Sequence, residues 1–335
     1  MTKIILEVEA LSKHYKLGGR VSTLFGQSNK ISAVGNISFR LAQGEILGLV
    51  GESGSGKSTL GKSIIKLNTI NHGKIKLLGN EIQKLSPSQF RSYRKHIQMI
   101  FQDLDAALNP NMKIKQIMED ALLAHFNFSK VELKEKLMKS LSMVHLSENI
   151  LTRYPQELSG GQKRRVAIAN VLAIEPQIIV ADEPTTGLDN YTQYQIINLI
   201  TNLQKSQGLS MLFISHDLSL IKNICHRVLV LYQGNIVEQA GINIISQRPG
   251  HPYSQLLWDS CPNQSAVTFQ STHTPSLTSG IDENYRPKKG CRFAPRCQQY
   301  IKQGRPDICV SYRNQPPLKC LSDEHSVACF FPLTE

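Results

Sequence analysis

Gly51-Glu52-Ser53-Gly54-Ser55-Gly56-Lys57-Ser58-Thr59 is the stretch whose reading decides the fold. A glycine, four free positions and then Gly-Lys-Ser is the spacing of a phosphate-binding loop. Just outside it, Ile46 to Val50 is an apolar run that predicts a buried strand. Leu60 to Leu67 carries apolar residues spaced for one helix face. Strand, glycine loop and helix form the context the motif needs. Glycines let successive backbone N–H groups curl round a phosphate at a helix N-terminus whose dipole favours anions. Gly51, Ser53, Gly54, Gly56 and Thr59 would line this cradle. Lys57 would set a positive charge on the β- and γ-phosphates, and Ser58 would offer its hydroxyl to Mg²⁺.

The chain has 335 residues, long enough for two domains. Hydrophobic residues make up 41% and charged residues 19%, so a sizeable core is expected. No apolar run approaches the roughly 18 residues of a membrane span. The opening Met1-Thr2-Lys3-Ile4 carries no signal-peptide pattern, which predicts a cytosolic chain whose membrane role would need partners. In that compartment seven cysteines argue for free thiols or a metal site rather than disulfides. The formal charge of +12 is uneven: between Arg286 and Lys319 stand nine Lys or Arg and one acid, Asp307. Such a tail suits nucleic acid, a membrane surface, a bound anion or simply solvent.

Along the chain, Ile4 to Val8 and Asn36 to Leu41 predict strands on either side of a polar excursion from Gly18 to Lys30. Ile75 to Leu78 with Gly79-Asn80 predicts a hairpin, Ser86 to Lys95 a helix, and Ile97 to Phe101 a strand. Ile114 to Val144 has helical spacing and interrupts the alternation. Beyond it Gln162 to Ala173 and Thr192 to Lys205 predict helices, while Ile178 to Ala181, Met211 to Ile214 and Val228 to Tyr232 predict strands. Alternating strands and helices imply a largely parallel α/β sheet with helices on both faces. Asn263 to Lys289 is rich in Ser, Thr and Pro and predicts a linker, and a Cys-rich piece closes the chain.

Ile178 to Ala181 delivers Asp182-Glu183 to a strand's C-terminal end, where ligands bind in such sheets. Asp182 would hold the Mg²⁺ shell, leaving Glu183 to orient and polarise an attacking water. Leu158-Ser159-Gly160-Gly161-Gln162 opens a helix and so makes a second anion-binding N-terminus. In this order the motifs resemble the ATP-binding-cassette (ABC) family over nearly the whole chain. The resemblance implies a P-loop NTPase cassette of α/β class, with a mixed sheet, helices on both faces, a helical insert over about 103–167 and a Cys-containing C-terminal extension. It implies a cassette over 1–258 and a linker with extension over 259–335. It also implies that two cassettes pair head to tail, the Ser159, Gly160, Gly161 and Gln162 loop of one capping ATP held by the other. Gln102 sits where the family's glutamine contacts Mg²⁺ and couples to the membrane partner. Asp189 falls at the loop crossing the dimer interface, His216 at the γ-phosphate contact, and Tyr15 near the adenine-stacking aromatic. Read alone, these positions also suit a polar strand end, a helix or turn cap and a strand-end tyrosine. Asn170 stands where the family commonly has Arg, and Leu104 where it has Pro; the hydrolytic positions are all present.

His251-Pro252-Tyr253-Ser254-Gln255-Leu256-Leu257, Gly290-Cys291-Arg292-Phe293-Ala294-Pro295-Arg296-Cys297 and His325-Ser326-Val327-Ala328-Cys329 resemble the oligopeptide, dipeptide and nickel importer branch. That branch implies import of peptides, or of nickel or another small solute, with two permease chains, a second cassette subunit and an extracytoplasmic solute-binding protein. It places the chain at the cytoplasmic face of the inner membrane. The competing reading is a soluble ABC ATPase acting on nucleic acid or the ribosome. A GTPase reading is weaker still, because Asn29-Lys30-Ile31-Ser32 lacks the final Asp of the guanine motif. Five of the seven cysteines fall in the last 45 residues, at intervals that fit no Cys-x-x-Cys zinc pattern. The resemblance implies a four-iron four-sulfur cluster at Cys291, Cys297, Cys309 and Cys329, with Cys320 able to replace Cys309. Arg292, Arg296, Lys288 and Lys289 are expected to favour the thiolate form. Buried, reduced thiols are the alternative.

Overall fold

The computed structural model describes residues 3–17, 29–104, 107–261 and 289–334. Most of the polar excursion and of the expected linker lies outside them. The chain forms two compact units. The first comprises Met1–Leu11, Ser38–Leu47 and Ser58–Ser215; the second comprises Ser12–Ile37, Gly48–Lys57 and His216–Glu335. The C-terminal residues group with 216–261 in the second unit.

β1 (Ile4–Leu17) and β2 (Asn29–Ala42) are longer than the apolar alternation suggests. The reason is local. Ala10 and Asn36 have φ of 50° and 54°, which breaks the two-residue period within each strand. The amide of Ala10 donates to Ser38 Oγ at 2.8 Å, and that of Asn36 to Ser12 Oγ at 2.9 Å, so both strands continue through the irregularity. β3 (Ile46–Val50) is buried throughout and leads to α1 (Lys57–Ile64). β4 (His72–Leu77) and β5 (Asn80–Glu81) form the expected hairpin, and Leu78 and Gly79, with φ of 50° and 84°, supply its tight turn. The smaller sheet has the order β2-β1-β4-β5.

The first unit continues through α2 (Pro87–Arg94) and β6 (Ile97–Ile100) into the helical stretch α3 (Ile114–Leu123) and α4 (Lys130–Met143). Ser86 and Ser129 start α2 and α4 through capping boxes closed by Gln89 and Glu132. Then come α5 (Gly160–Ala173), β7 (Ile178–Asp182), α6 (Asn190–Gln207) and β8 (Ser210–Ile214). β6, β7 and β8 pair in parallel, with Ile100 opposite Ala181 and Asp182 opposite Ile214. Their near-continuous apolar runs are those of strands covered on both faces. α1 sits close on this sheet: a Cβ at Gly61 would meet Ile214 Cδ1 at 3.0 Å and Val180 Cγ1 at 3.1 Å.

In the second unit α7 (Leu218–Ile224) precedes β9 (Arg227–Tyr232) and β10 (Asn235–Gly241). α8 (Ile242–Ile245) and α9 (Pro252–Asp259) follow, then the short α10 (Gln298–Lys302) and α11 (Ile308–Ser311). β11 (Lys319–Ser322) and β12 (His325–Val327) close it. β10 pairs antiparallel with both β9 and β12, and β11 pairs with β12, so the sheet is mixed rather than largely parallel. Glu238 on β10 is fully buried, yet every partner is supplied: it accepts from the Gly250 and His251 amides at 2.7 and 2.8 Å and contacts His325 Nε2 at 2.7 Å. Tyr232, Tyr253 and Phe293 pack against one another with centroids 4.6 to 5.4 Å apart. Pairs of this kind contribute about 0.5–1.5 kcal/mol each beyond burial.

Candidate active site

The glycine loop lies between β3 and α1, and its second-unit residues are tightly held. Gly56 has φ of 107°, and a Cβ there would meet the Ala33 carbonyl oxygen at 2.2 Å, so only glycine fits. The Gly234 amide donates to Ser55 O at 2.7 Å, and the Gly35 amide to Gly234 O at 2.8 Å. Lys57 is buried, and its Nζ donates to the carbonyls of Gly51 at 2.6 Å and Glu52 at 2.9 Å. Ser53 and Gly54 are exposed at the rim. The outcome is a loop curled round an ammonium group.

Ser58 belongs to the first unit, where its Oγ donates to Asp182 Oδ1 at 3.1 Å. A hydroxyl beside a buried carboxylate is an oxygen donor set suited to Mg²⁺. Glu183 follows with φ of 47°, a left-handed conformation that costs a non-glycine residue about 1–3 kcal/mol and clusters at functional sites. Its amide donates to Ile214 O at 2.9 Å. Its Oε2 accepts from Gln102 Nε2 at 2.9 Å and from Thr186 Oγ1 at 3.0 Å. The carboxylate is therefore aimed by two donors at the C-terminal ends of β6 and β7. A carboxylate so held can accept a proton from water.

Sequence reasoning missed Arg164. It is buried, and its guanidinium donates to the carbonyls of Phe101 at 2.8 Å, Gln102 at 3.2 Å and Thr186 at 3.2 Å. It thereby ties α5 to the segments carrying Gln102 and Glu183. The available signal was its helical spacing: Arg164 shares a face with buried Ile168, four residues on, an unusual place for a charge without partners. Asn170 Oδ1 is buried with no hydrogen-bond partner among the described residues, and nothing in the structure explains that residue. The Leu104 carbonyl accepts from the Ala107 and Leu108 amides.

Ser159 caps α5. Its Oγ accepts from the Gln162 amide at 3.3 Å, and the Gln162 side chain accepts from the Ser159 amide at 3.1 Å. Gly160 is exposed, and a Cβ there would meet nothing within 4 Å, so no group of the described chain requires a glycine there. Asp189 caps α6 through the Thr192 amide at 2.9 Å, and that bond holds its carboxyl below the usual range. Gly161 is half-buried at the start of α5 and Thr59 half-buried in α1. Tyr15 and His216 belong to the second unit. Tyr15 is exposed with Lys13 Nζ 5.0 Å from its ring centroid, and His216 is exposed just past β8.

Cys291, Cys297, Cys309 and Cys329 line one small cavity together with His251. Cys320 is exposed on β11, where its Sγ contacts Ser322 O, so Cys309 rather than Cys320 joins the group. The expected thiolates need correction. Burial pushes Cys291 up to about 12 and Cys329 up to about 11, and raises Cys297 and Cys309 as well. The arginines meant to offset them are engaged elsewhere: Arg292 donates to Gln233 O, and Arg296 forks onto Glu52. Lys289 is exposed and Lys288 lies outside the described residues. Among the described residues no group of three or more His, Cys, Asp or Glu is spaced for a single metal ion. His251 is also buried. Its Nδ1 accepts from the Tyr253 amide at 3.0 Å, and burial pushes it down to about 4, so the neutral ring carries its proton on Nε2. That Nε2 has no hydrogen-bond partner among the described residues.

A lysine-centred glycine loop, an Asp-Glu pair at the end of a buried parallel strand and a nearby amide define the class: a P-loop nucleotide hydrolase. The ABC transporter family model matches residues 34–186, and the oligopeptide/dipeptide transporter C-terminal region matches 237–303. The oligopeptide transport ATP-binding protein OppF of Haemophilus influenzae is 38% identical over 328 residues, covering 98% of this chain and 97% of the relative. OppF of Escherichia coli K12 is also 38% identical, covering 88% of this chain and 89% of the relative. Among solved structures, the dimeric post-hydrolysis cassette MJ0796 bound to ADP and Pi is similar with a TM-score of 0.64 at 27% identity, covering 71% of this chain and 99% of that one. The chain belongs to the ABC transporter ATP-binding family, in its oligopeptide/dipeptide branch. It is an ABC-type ATPase, and the family implies ATP with Mg²⁺ as ligands, and membrane permeases and paired cassettes as partners. No helix of the described residues is long and apolar enough to cross a membrane.

Proposed function

We propose that the chain hydrolyses ATP to drive import of di- or oligopeptides through a membrane permease. The observation that carries this reading is one chain joining the Ser58–Asp182 and Gln102–Glu183 pairs to a matched oligopeptide/dipeptide transporter region. In it Gly51, Ser53, Gly54, Gly56, Lys57 and Thr59 cradle the phosphates, and Ser58, Asp182 and Gln102 would hold Mg²⁺, which would supply positive charge to the γ-phosphate. Glu183 is the general base, His216 senses the γ-phosphate and Tyr15 stacks on adenine. Ser159 to Gln162 and Asp189 serve a second cassette across the dimer interface; the open space over Gly160 supports an approach from outside the chain. The functional division is a cassette over 1–258, with its helical subdomain at about 103–167, and an extension over 259–335. Two permeases and an extracytoplasmic solute-binding protein complete the importer, with this chain peripheral at the cytoplasmic face of the inner membrane. The nucleic-acid reading loses ground because Arg292 and Arg296, counted in the basic tail, are engaged inside the second unit. Vesicles rebuilt from this chain, a second cassette and two permeases should accumulate labelled peptide when supplied with ATP and the binding protein.

The same reading gives the extension a four-iron four-sulfur cluster on Cys291, Cys297, Cys309 and Cys329. Its support is the four thiols facing one cavity and the unpaired Nε2–H of His251 on the same wall, a donor suited to a sulfur acceptor. A cluster held there would staple a segment with little apolar surface of its own. Four raised thiols must each lose a proton on loading, so loading should strengthen as pH rises. Anaerobically purified protein should contain iron and sulfide, lost in Cys309→Ser and kept in Cys320→Ser. Protein from iron-replete cells containing neither iron nor zinc would leave reduced, buried thiols as the correct description.

A further inference from the structure

Glu52 is the first free position of the phosphate loop, and each of its polar groups is gripped. Its amide donates to Tyr253 Oη at 2.9 Å. Its carbonyl accepts from Lys57 Nζ at 2.9 Å and from the Ser55 amide at 3.1 Å. Its two carboxylate oxygens take Nη1 and Nη2 of Arg296, both at 2.9 Å. Tyr253 and Arg296 stand in two separate segments that carry the branch resemblance, yet they close on one loop residue. All of these residues lie in the second compact unit.

From this we infer that Arg296 is a positioning residue for the phosphate loop: through Glu52, the C-terminal extension holds the cradle in the shape that binds nucleotide. The inference rests on Gly51 to Thr59 being that cradle, and it holds whatever the cysteines carry. Ordinary exposed ion pairs contribute little, because two long side chains must be ordered in water. This pair differs in three ways. It is a two-bond fork, the strong geometry for guanidinium and carboxylate. The guanidinium lies 5.9 Å from the Tyr232 centroid and 5.8 Å from that of Phe293, so its plane is set by packed rings. Its target is also a loop residue whose carbonyl cages Lys57, so the interaction energy goes into loop shape.

Charge acts in the same direction. An unneutralised Glu52 carboxylate in a loop that must accept a triphosphate would repel it, and Arg296 offsets that charge. A second tie runs parallel: Arg292 donates to Gln233 O, adjacent to Gly234, whose amide holds Ser55 O at 2.7 Å. Both arginines adjoin cysteines of the cavity, Cys291 and Cys297.

The test uses the full-length chain and measures Mg-ATP affinity together with nucleotide-free melting temperature. Arg296→Ala should weaken ATP binding about tenfold, the scale of a lost charge-assisted hydrogen bond, beyond anything its change in melting accounts for. Arg296→Lys keeps the charge but not the fork, and should fall between Arg296→Ala and wild type. Because Arg296 acts through Glu52, the double variant Glu52→Gln with Arg296→Ala should bind no worse than Arg296→Ala alone. Wild-type affinity in Arg296→Ala and Arg296→Lys, strictly additive losses in the double variant, or a loss explained wholly by unfolding would each overturn the positioning role. Wild-type protein that binds no ATP would overturn the phosphate-loop reading itself, and the inference with it.

Discussion

Glu183→Gln should bind ATP about as well as the unchanged chain and hydrolyse it roughly 10²–10⁴-fold more slowly, the span ascribed to a positioned proton acceptor. The substitution is close to isosteric. The amide oxygen can still accept from Gln102 Nε2 and Thr186 Oγ1, the two donors that aim the carboxylate at 2.9 and 3.0 Å. The left-handed backbone at residue 183 carries no different demand, because Gln and Glu share the same Cβ geometry. What disappears is basicity, since an amide does not accept the water's proton. The check is single-turnover hydrolysis measured beside equilibrium ATP binding. Weakened binding with unchanged hydrolysis per bound ATP would move Glu183 out of the chemistry and into the architecture of the site.

Lys57→Ala should lower ATP affinity by about two orders of magnitude or more, in line with removing one member of a close, desolvated charge pair. Two losses add here. The β- and γ-phosphates lose the cation at the centre of the loop, and the Gly51 and Glu52 carbonyls lose the ammonium that holds them at 2.6 and 2.9 Å. The Ser58–Asp182 contact does not involve Lys57, so the rest of the fold should stay intact and the melting temperature near that of the parent. Direct nucleotide titration of the folded variant is the check, and parental affinity would show that Lys57 does not face the phosphates.

The glycine loop was legible because its residue types answer to local backbone: Gly56 is required by its own φ and by the Ala33 carbonyl beside it. Buried parallel strands such as β7 and β8 were legible because both their faces are covered, leaving unbroken apolar runs. β1 and β2 were read short because a single positive φ inverts the alternation on which strand reading depends. Long-range polar contacts were out of reach. Arg296 and Glu52 are 244 positions apart, and nothing local to either names the other. Arg164 went unnoticed because its three acceptors are backbone carbonyls, which have no sequence signature. The cysteine intervals could not choose between Cys309 and Cys320; the choice comes from β11, which carries Cys320 into solvent. The thiolate expectation failed for a related reason. Nearness in sequence was taken for nearness of charge, whereas Arg296 spends its fork on Glu52 and the thiols feel mainly burial.

The most direct test of the chain as the motor of a peptide importer is uptake into sealed vesicles. Permeases, a partner cassette and this chain are reconstituted, ATP is supplied on the cassette side, and a peptide-loaded binding protein is placed on the other. Labelled peptide should accumulate against its gradient with the parental chain and not with Glu183→Gln, while nickel or another small solute offered at the same concentration should not. ATP turnover by the chain that is stimulated by nucleic acid or ribosomes and indifferent to permeases and peptide, with no accumulation in the vesicles, would contradict the account.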